Sequence, residues 1–262
     1  MNHVTVETNL VHSALVNDDY QLYHLLPSDY SASNSYPLVV FLDGNWYNKF
    51  FQKEMASLIE SGEIPPCILV GVGYPLDGGY KELCPHCKDE EDDILIPRFR
   101  DYTFPTVVTW TIPTGEGDKY ASFLNEELVP KIASEYSIDT NMIYLMGHSL
   151  GGLSMFYNMF EYVNPKFDGY ASVSPSLYWA EGHNFSLEEN YHQNHSDLNT
   201  KLYIAYGSAE SGSLAAHNAE MIERIESRNY PSLKFKSDVF VGSSHRQAAW
   251  EGFRKGLIFC LN

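Results

Sequence analysis

Met142-Ile143-Tyr144-Leu145-Met146-Gly147-His148-Ser149-Leu150-Gly151-Gly152 is the stretch on which the fold turns, because five apolar, strand-like residues run straight into a serine set among glycines. A serine hydroxyl is a poor nucleophile unless a base takes its proton, so a reactive serine must project from a tight turn that a histidine can reach. Gly147 and Gly151 are expected to leave room where strand folds sharply into helix, with the Ser149 backbone itself strained. The same turn would place the Leu150 N–H at a helix N-terminus, aimed at a developing oxyanion. The competing reading is a Gly-rich turn with a purely structural role. Context decides between them: a strand precedes the serine, and Leu153-Ser154-Met155-Phe156-Tyr157 continues as a helix.

Outward from this elbow, short apolar runs alternate with helical patterns. Leu38 to Leu42, Cys67 to Gly73, Met142 to Met146, Gly169 to Val173, Lys201 to Tyr206 and the weaker Phe235 to Val241 read as buried strands. Asn48 to Glu60, Tyr120 to Tyr136, Leu150 to Phe160, Leu214 to Arg228 and Gln247 to Cys260 read as helices. Two extended stretches, Val4 to Val16 and Tyr20 to Leu26, flank the turn-like Asn17-Asp18-Asp19 and predict an antiparallel hairpin at a sheet edge. The expected fold class is therefore α/β, with a mostly parallel central sheet, an antiparallel N-terminal hairpin and helices on both faces. With no repeat or linker, residues 1–262 are expected to form one domain. Residues 74–118 and 176–200 read as long irregular loops, a length that in a compact domain points to function.

Composition narrows the partners. Seventeen basic residues against 34 acidic ones give a net charge of −17, which repels phosphate backbones and anionic lipid, so neither nucleic acid nor membrane is an expected partner. The N-terminal Met1-Asn2-His3-Val4-Thr5-Val6-Glu7 has no basic segment or long apolar stretch, and no apolar run elsewhere could span a bilayer. A soluble, cytoplasmic protein is the expectation. Four cysteines are too few for a disulfide scaffold.

In an open α/β sheet the chemistry gathers outside the carboxyl ends of the strands, so partners for Ser149 are sought just after later strands. His245 follows the last strand and precedes the last helix, and Glu210 lies in Gly207-Ser208-Ala209-Glu210 after the Leu202 to Tyr206 strand. Serine, acid, histidine is the chain order of an α/β-hydrolase triad. Ser149 would attack, His245 would accept and return its proton, and Glu210 would orient the imidazole. Asp238 and Asp197 are rival carboxylates, but the first sits within a strand and the second precedes one. The loop Asp43-Gly44-Asn45-Trp46 offers the Asn45 N–H as a second oxyanion donor, Gly44 permitting the turn; an ordinary Asp-Gly turn is the alternative.

Other features need weighing. Cys84-Pro85-His86-Cys87 resembles a redox motif, yet the Asp89-Glu90-Glu91-Asp92-Asp93 run beside it would raise a thiol pKa, so a solvated loop is expected, with a local disulfide or adventitious metal site behind it. His183, His192 and His195 match no zinc spacing, and no metal is expected. Arg98 and Arg100 could fork onto a ligand carboxylate, or pair with Asp101, Asp92 or Asp93. Trp46, Tyr102, Trp110, Tyr178 and Trp179 could line an aromatic pocket, with core packing the rival for Trp179.

Taken together, several segments resemble the esterase D-like family, which includes siderophore esterases, feruloyl and carbohydrate esterases, S-formylglutathione hydrolases and mycolyltransferases. The likeness runs from about Tyr20 to the end. It is carried by Leu42-Asp43-Gly44, Arg98-Phe99-Arg100-Asp101-Tyr102-Thr103, Phe123-Leu124-Asn125-Glu126-Glu127-Leu128-Val129-Pro130, Gly147 to Gly152, Ser174-Pro175-Ser176-Leu177-Tyr178-Trp179, Gly207 to Glu210, and Ser244-His245. The resemblance implies a Ser149, Glu210, His245 triad with Asn45 and Leu150 backbone donors, on an α/β-hydrolase core without cofactor. The siderophore-esterase branch is most similar, although Phe104 intervenes here between Thr103 and Pro105, where that branch commonly has Pro next to Thr. The expected function is a serine carboxylester hydrolase acting through an acyl-enzyme on a small-molecule ester, whether siderophore, feruloyl or sugar. Acyl transfer, S-formylglutathione thioester hydrolysis and a non-catalytic binding module are the alternatives.

Overall fold

The computed structural model describes residues 4–76 and 94–262. Eight strands form one sheet: β1 (Thr5–Ser13), β2 (Asp18–Leu26), β3 (Tyr36–Leu42), β4 (Ile68–Gly73), β5 (Ile138–His148), β6 (Gly169–Val173), β7 (Lys201–Gly207) and β8 (Lys234–Phe240). Their spatial order is β1-β2-β4-β3-β5-β6-β7-β8. β1 and β2 form the expected hairpin, β2 also pairs antiparallel with β4, and every pairing from β4 through β8 is parallel. The sheet is thus an α/β-hydrolase sheet.

Its central strands are apolar on both faces because helices cover both. In β3, Leu38, Val40 and Leu42 enter one core layer while Val39 and Phe41 enter the other, as the two-residue repeat of a strand requires. One layer is closed by α1 (Gly44–Glu60) and the C-terminal α8 (His245–Leu261), which contribute Phe51, Met55, Phe253 and Leu257. The opposite layer receives residues from α2 (Leu95–Tyr102), α3 (Gly117–Ser122), a π-helical turn (Phe123–Leu128), α4 (Val129–Glu135), α5 (Leu150–Phe160), α6 (His183–Asn194) and α7 (Gly212–Arg228).

Two expectations are corrected here. Residues 176–200 are largely helical, with a 3-10 turn over Trp179–Gly182 leading into α6, so His183 and His192 lie on a helix rather than an irregular loop. In 74–118, α2 and the start of α3 are regular structure, and the Cys84 to Cys87 motif with its acidic run lies outside the described residues. Among the described residues no helix is long and apolar enough to cross a membrane.

Candidate active site

β5 ends at His148, and Ser149 follows with φ 59° and ψ −119°, a left-side backbone conformation that a non-glycine residue adopts only when its surroundings enforce it. Three contacts do so: Ser149 N–H donates to Val173 O (2.9 Å), while Ser149 O accepts from the N–H of Leu153 (2.9 Å) and of Ser176 (3.1 Å). The glycine requirement is strictest at Gly147, where an added Cβ would stand 2.6 Å from the backbone of Gly151. At Gly151 itself the nearest atom would be 3.3 Å away, so the crowding expected there is mild.

The candidate acid and base arrive from the ends of β7 and β8. Glu210 Oε2 accepts from His245 Nδ1 at 3.1 Å, and Glu210 Oε1 accepts from Ser174 Oγ and from Gly207 N–H, both at 2.6 Å. Burial works to raise this carboxyl, but the bonds from His245, Ser174 and Gly207 outweigh it and hold it below its ordinary value. The rivals are engaged elsewhere, Asp238 with Tyr203 and Lys255, Asp197 with Ser232 and Leu198. Ser149 and His245 are not hydrogen-bonded to each other; the Ser149 hydroxyl instead meets Ser176 Oγ at 3.2 Å. Such resting geometry is common before a substrate arrives.

Ser149 and His245 line two clefts. One, of about 600 Å³, is walled by Asn45, Trp46, Trp250 and His148. The other, of about 500 Å³, runs past Ser176, Tyr178 and Glu210. The amides of Asn45 and Leu150 belong to the first turns of α1 and α5, where helices leave N–H groups without partners. No backbone or side-chain acceptor among the described residues takes either.

Asn45 is fixed from β4: its amide oxygen accepts from Tyr74 N–H (2.7 Å) and its amide nitrogen donates to Tyr74 O (2.8 Å). The turn before it is made by Asp43 rather than Gly44, since Asp43 has φ 58°. Gly44 is needed for a different reason, because a Cβ there would lie 2.8 Å from the Tyr23 ring.

Of the expected substrate-binding residues, Trp46 faces the larger cleft and Arg98 borders it with its charge engaged. Arg98 forks onto Asp43 (2.7 and 3.1 Å) and donates to His148 O (3.3 Å), tying the Asn45 turn to the elbow. Burial raises the Asp43 carboxyl and Arg98 offsets this only in part. The other three lie away from both clefts. Arg100 pairs with Asp101 and Asp18, the Tyr102 hydroxyl accepts from Asp43 N–H (3.2 Å), and Trp179 is buried with its indole N–H on Pro105 O (3.3 Å) against Phe99 and Trp110. Each is engaged by other groups of the chain rather than turned toward a cleft. Phe104 packs on Tyr157 and His183.

His148, beside the nucleophile, braces the site. Its Nε2 lies 3.0 Å from His245 O, a carbonyl that can only accept, so Nε2 carries the proton and Nδ1 accepts from Tyr47 OH at 3.0 Å. Burial, followed by the charges of His245 and Arg98, lowers its pKa well below the ordinary value and keeps the ring neutral. Ser174, with φ 47°, and Ser176 also border the site, and both lie in a segment that carries the family resemblance. No cluster of three or more His, Cys, Asp or Glu suited to a metal ion occurs among the described residues.

Comparison with known proteins agrees with this architecture. The family model described as "Putative esterase" matches residues 13–82 and 105–258. The chain is 24% identical over 264 residues to the ferri-bacillibactin esterase BesA of Bacillus subtilis, covering 91% of this chain and 83% of that protein. The crystal structure of the BES protein from Bacillus cereus superposes with a TM-score of 0.82 at 28% identity, covering 98% of this chain and 95% of that one. An IroE-like serine hydrolase from Shewanella oneidensis gives a TM-score of 0.79 at 21% identity over 97% of this chain and 79% of its own.

Proposed function

This chain belongs to the Putative esterase family, and from that membership we propose that it is a serine hydrolase that opens carboxylic esters of siderophores through an acyl-enzyme on Ser149. Ser149 Oγ attacks the ester carbonyl carbon while its proton passes to His245 Nε2. The carbonyl oxygen, now an oxyanion, takes the N–H groups of Asn45 and Leu150. Collapse of the tetrahedral intermediate breaks the carbonyl–oxygen bond, and the alcohol leaves with the proton from His245. Water, deprotonated by the same imidazole, then attacks the acyl carbon and frees Ser149. Glu210 accepts from Nδ1–H throughout and stabilises the imidazolium. Its low pKa keeps it an acceptor at neutral pH.

The observation that carries this reading is the Glu210–His245 hydrogen bond at the rim of the cleft that holds Ser149, beside the Asn45 and Leu150 amides, which no acceptor among the described residues takes. In the resting enzyme Ser176 holds the Ser149 hydroxyl, which turns toward His245 when substrate enters. The siderophore assignment is supported by the BesA relative, named for a ferri-bacillibactin esterase.

A hydrolysis panel tests it. A trilactone siderophore, a feruloyl ester, an acetylated sugar and S-formylglutathione are offered to the wild type and to Ser149→Ala, and products are followed by mass. The trilactone should be opened fastest and only when Ser149 is present. Faster turnover of one of the other three would overturn the substrate class, and full activity in Ser149→Ala would overturn the mechanism.

A further inference from the structure

The larger cleft carries a charge opposite to that of the chain. Acidic residues outnumber basic ones 34 to 17 overall, yet among the described residues no carboxylate lines this cleft. Its rim holds Lys49 and Arg246, both exposed and neither in an ion pair with a carboxylate among the described residues. Three helices, α1, α5 and α8, also begin at this cleft, and each presents the positive end of its dipole there. Acidic side chains commonly gather at such ends, but none stands in the first turn of any of the three. Arg98 adds little, since Asp43 offsets its charge.

The walls are flat and apolar. Trp250, 40% exposed, is held edge-on by Tyr47 (ring centroids 5.6 Å) and tilted against Phe50 (4.9 Å). Trp46 stands on the same cleft with the Arg98 guanidinium over its ring at 5.1 Å from the centroid. Flat apolar walls with exposed cations at the rim suit a planar group carrying negative charge.

We propose that this cleft is a subsite for an anionic, planar arm of the ester, a carboxylate- or phenolate-bearing ring, with Lys49 and Arg246 contacting its charge and Trp46 and Trp250 its faces. The inference rests on the esterase reading for its placement beside Ser149. It also shows how a chain of net charge −17 accepts an anion, because the local field at the mouth of a cleft counts for more than the distant surface once salt screens the latter.

Two matched ester pairs and one binding measurement test it. The pairs are 4-nitrophenyl hemisuccinate against 4-nitrophenyl butyrate, with the charge on the acyl side, and 3-carboxyphenyl acetate against phenyl acetate, with the charge on the alcohol side. For at least one pair, the ratio of kcat/KM for the charged over the neutral ester should fall roughly three- to tenfold in the Lys49→Gln, Arg246→Gln double variant, the scale of two exposed ionic contacts. The same ratio should shrink in about 1 M salt, where the screening length is about 3 Å. Lys53→Gln, one helical turn from Lys49 and away from the cleft, removes an equal charge and should leave the ratio as it is. Calorimetric binding of 4-nitrobenzoate against 4-nitrobenzamide supplies a readout independent of turnover, and the preference for the benzoate should vanish in the double variant. Ratios and binding unchanged in the double variant would overturn the subsite. Loss of all Ser149-dependent hydrolysis, with benzoate preference intact, would instead overturn the esterase reading and leave the subsite standing.

Discussion

Replacing Glu210 by Gln is the substitution whose outcome the geometry specifies most narrowly. Oε1 accepts from Gly207 N–H at 2.6 Å, a group that can only donate, so the amide oxygen of a glutamine must take that place. The amide NH₂ then faces His245 Nδ1, which lies 3.1 Å from Oε2 in the wild type. An NH₂ donates, so Nδ1 must become the acceptor and the ring proton moves to Nε2, where it blocks the uptake of the Ser149 proton. A wrong-tautomer imidazole costs a triad roughly 10⁴ in turnover, about 5.5 kcal/mol of transition-state stabilisation. The fold should persist, because the same three hydrogen bonds are kept with one charge removed, a change of about 1–2 kcal/mol. The assay is steady-state hydrolysis of 4-nitrophenyl butyrate beside a thermal melt. A kcat within tenfold of wild type, in a protein that melts normally, would refute the assignment of Glu210 as the orienting acid.

Other consequences follow from the buried polar groups. His148 is neutral in the fold and has an ordinary value of 6.5 when unfolded, so the unfolded chain binds the extra proton and stability falls as pH drops below about 6.5. The loss is about 1.4 kcal/mol per pH unit for this one group, and denaturant melts at pH 7 and pH 5.5 should show a smaller difference in His148→Gln than in the wild type. Arg98→Met strands the buried Asp43 and should cost about 3–5 kcal/mol, most of which Asp43→Asn should return in the double variant. The deficit of the single variant should shrink in acid, because an unpaired Asp43 is free to take up a proton, and chemical denaturation across pH measures this.

Much of the fold is written locally. β3 and β5 announce themselves because alternate residues must satisfy two apolar layers, and α5 begins where Gly147 and Ser149 force the chain to turn. α1 begins at Gly44, earlier than the apolar pattern from Asn48 suggests, since Asp43 O accepts from the N–H groups of Trp46 and Tyr47 and winds the first turn ahead of that pattern. α6 reads as irregular in the sequence because its stretch is polar. Its buried Glu188 is balanced by Arg228, 40 residues away, and that pairing has no local signature. The site divides the same way. Ser149, Glu210 and His245 sit at strand ends in order, which a sequence displays, whereas the direction of a loop side chain depends on distant partners. Arg98 finds Asp43 55 residues away and Arg100 finds Asp18 82 residues away, so both turn toward the protein rather than outward. For His148 and Ser174 a signal existed, in their places beside the nucleophile and inside the Ser-Pro-Ser segment, but their contacts with His245 and Glu210 form only in the fold.

The claim on which the rest depends is that Ser149 is an activated nucleophile. Intact-mass measurement after exposure to a fluorophosphonate, followed by peptide mapping, reads it directly. One adduct should form, on the peptide carrying Ser149, with none on Ser149→Ala and much slower labelling of Glu210→Gln. An adduct on any other residue, or an unlabelled enzyme that still hydrolyses esters, would contradict the account.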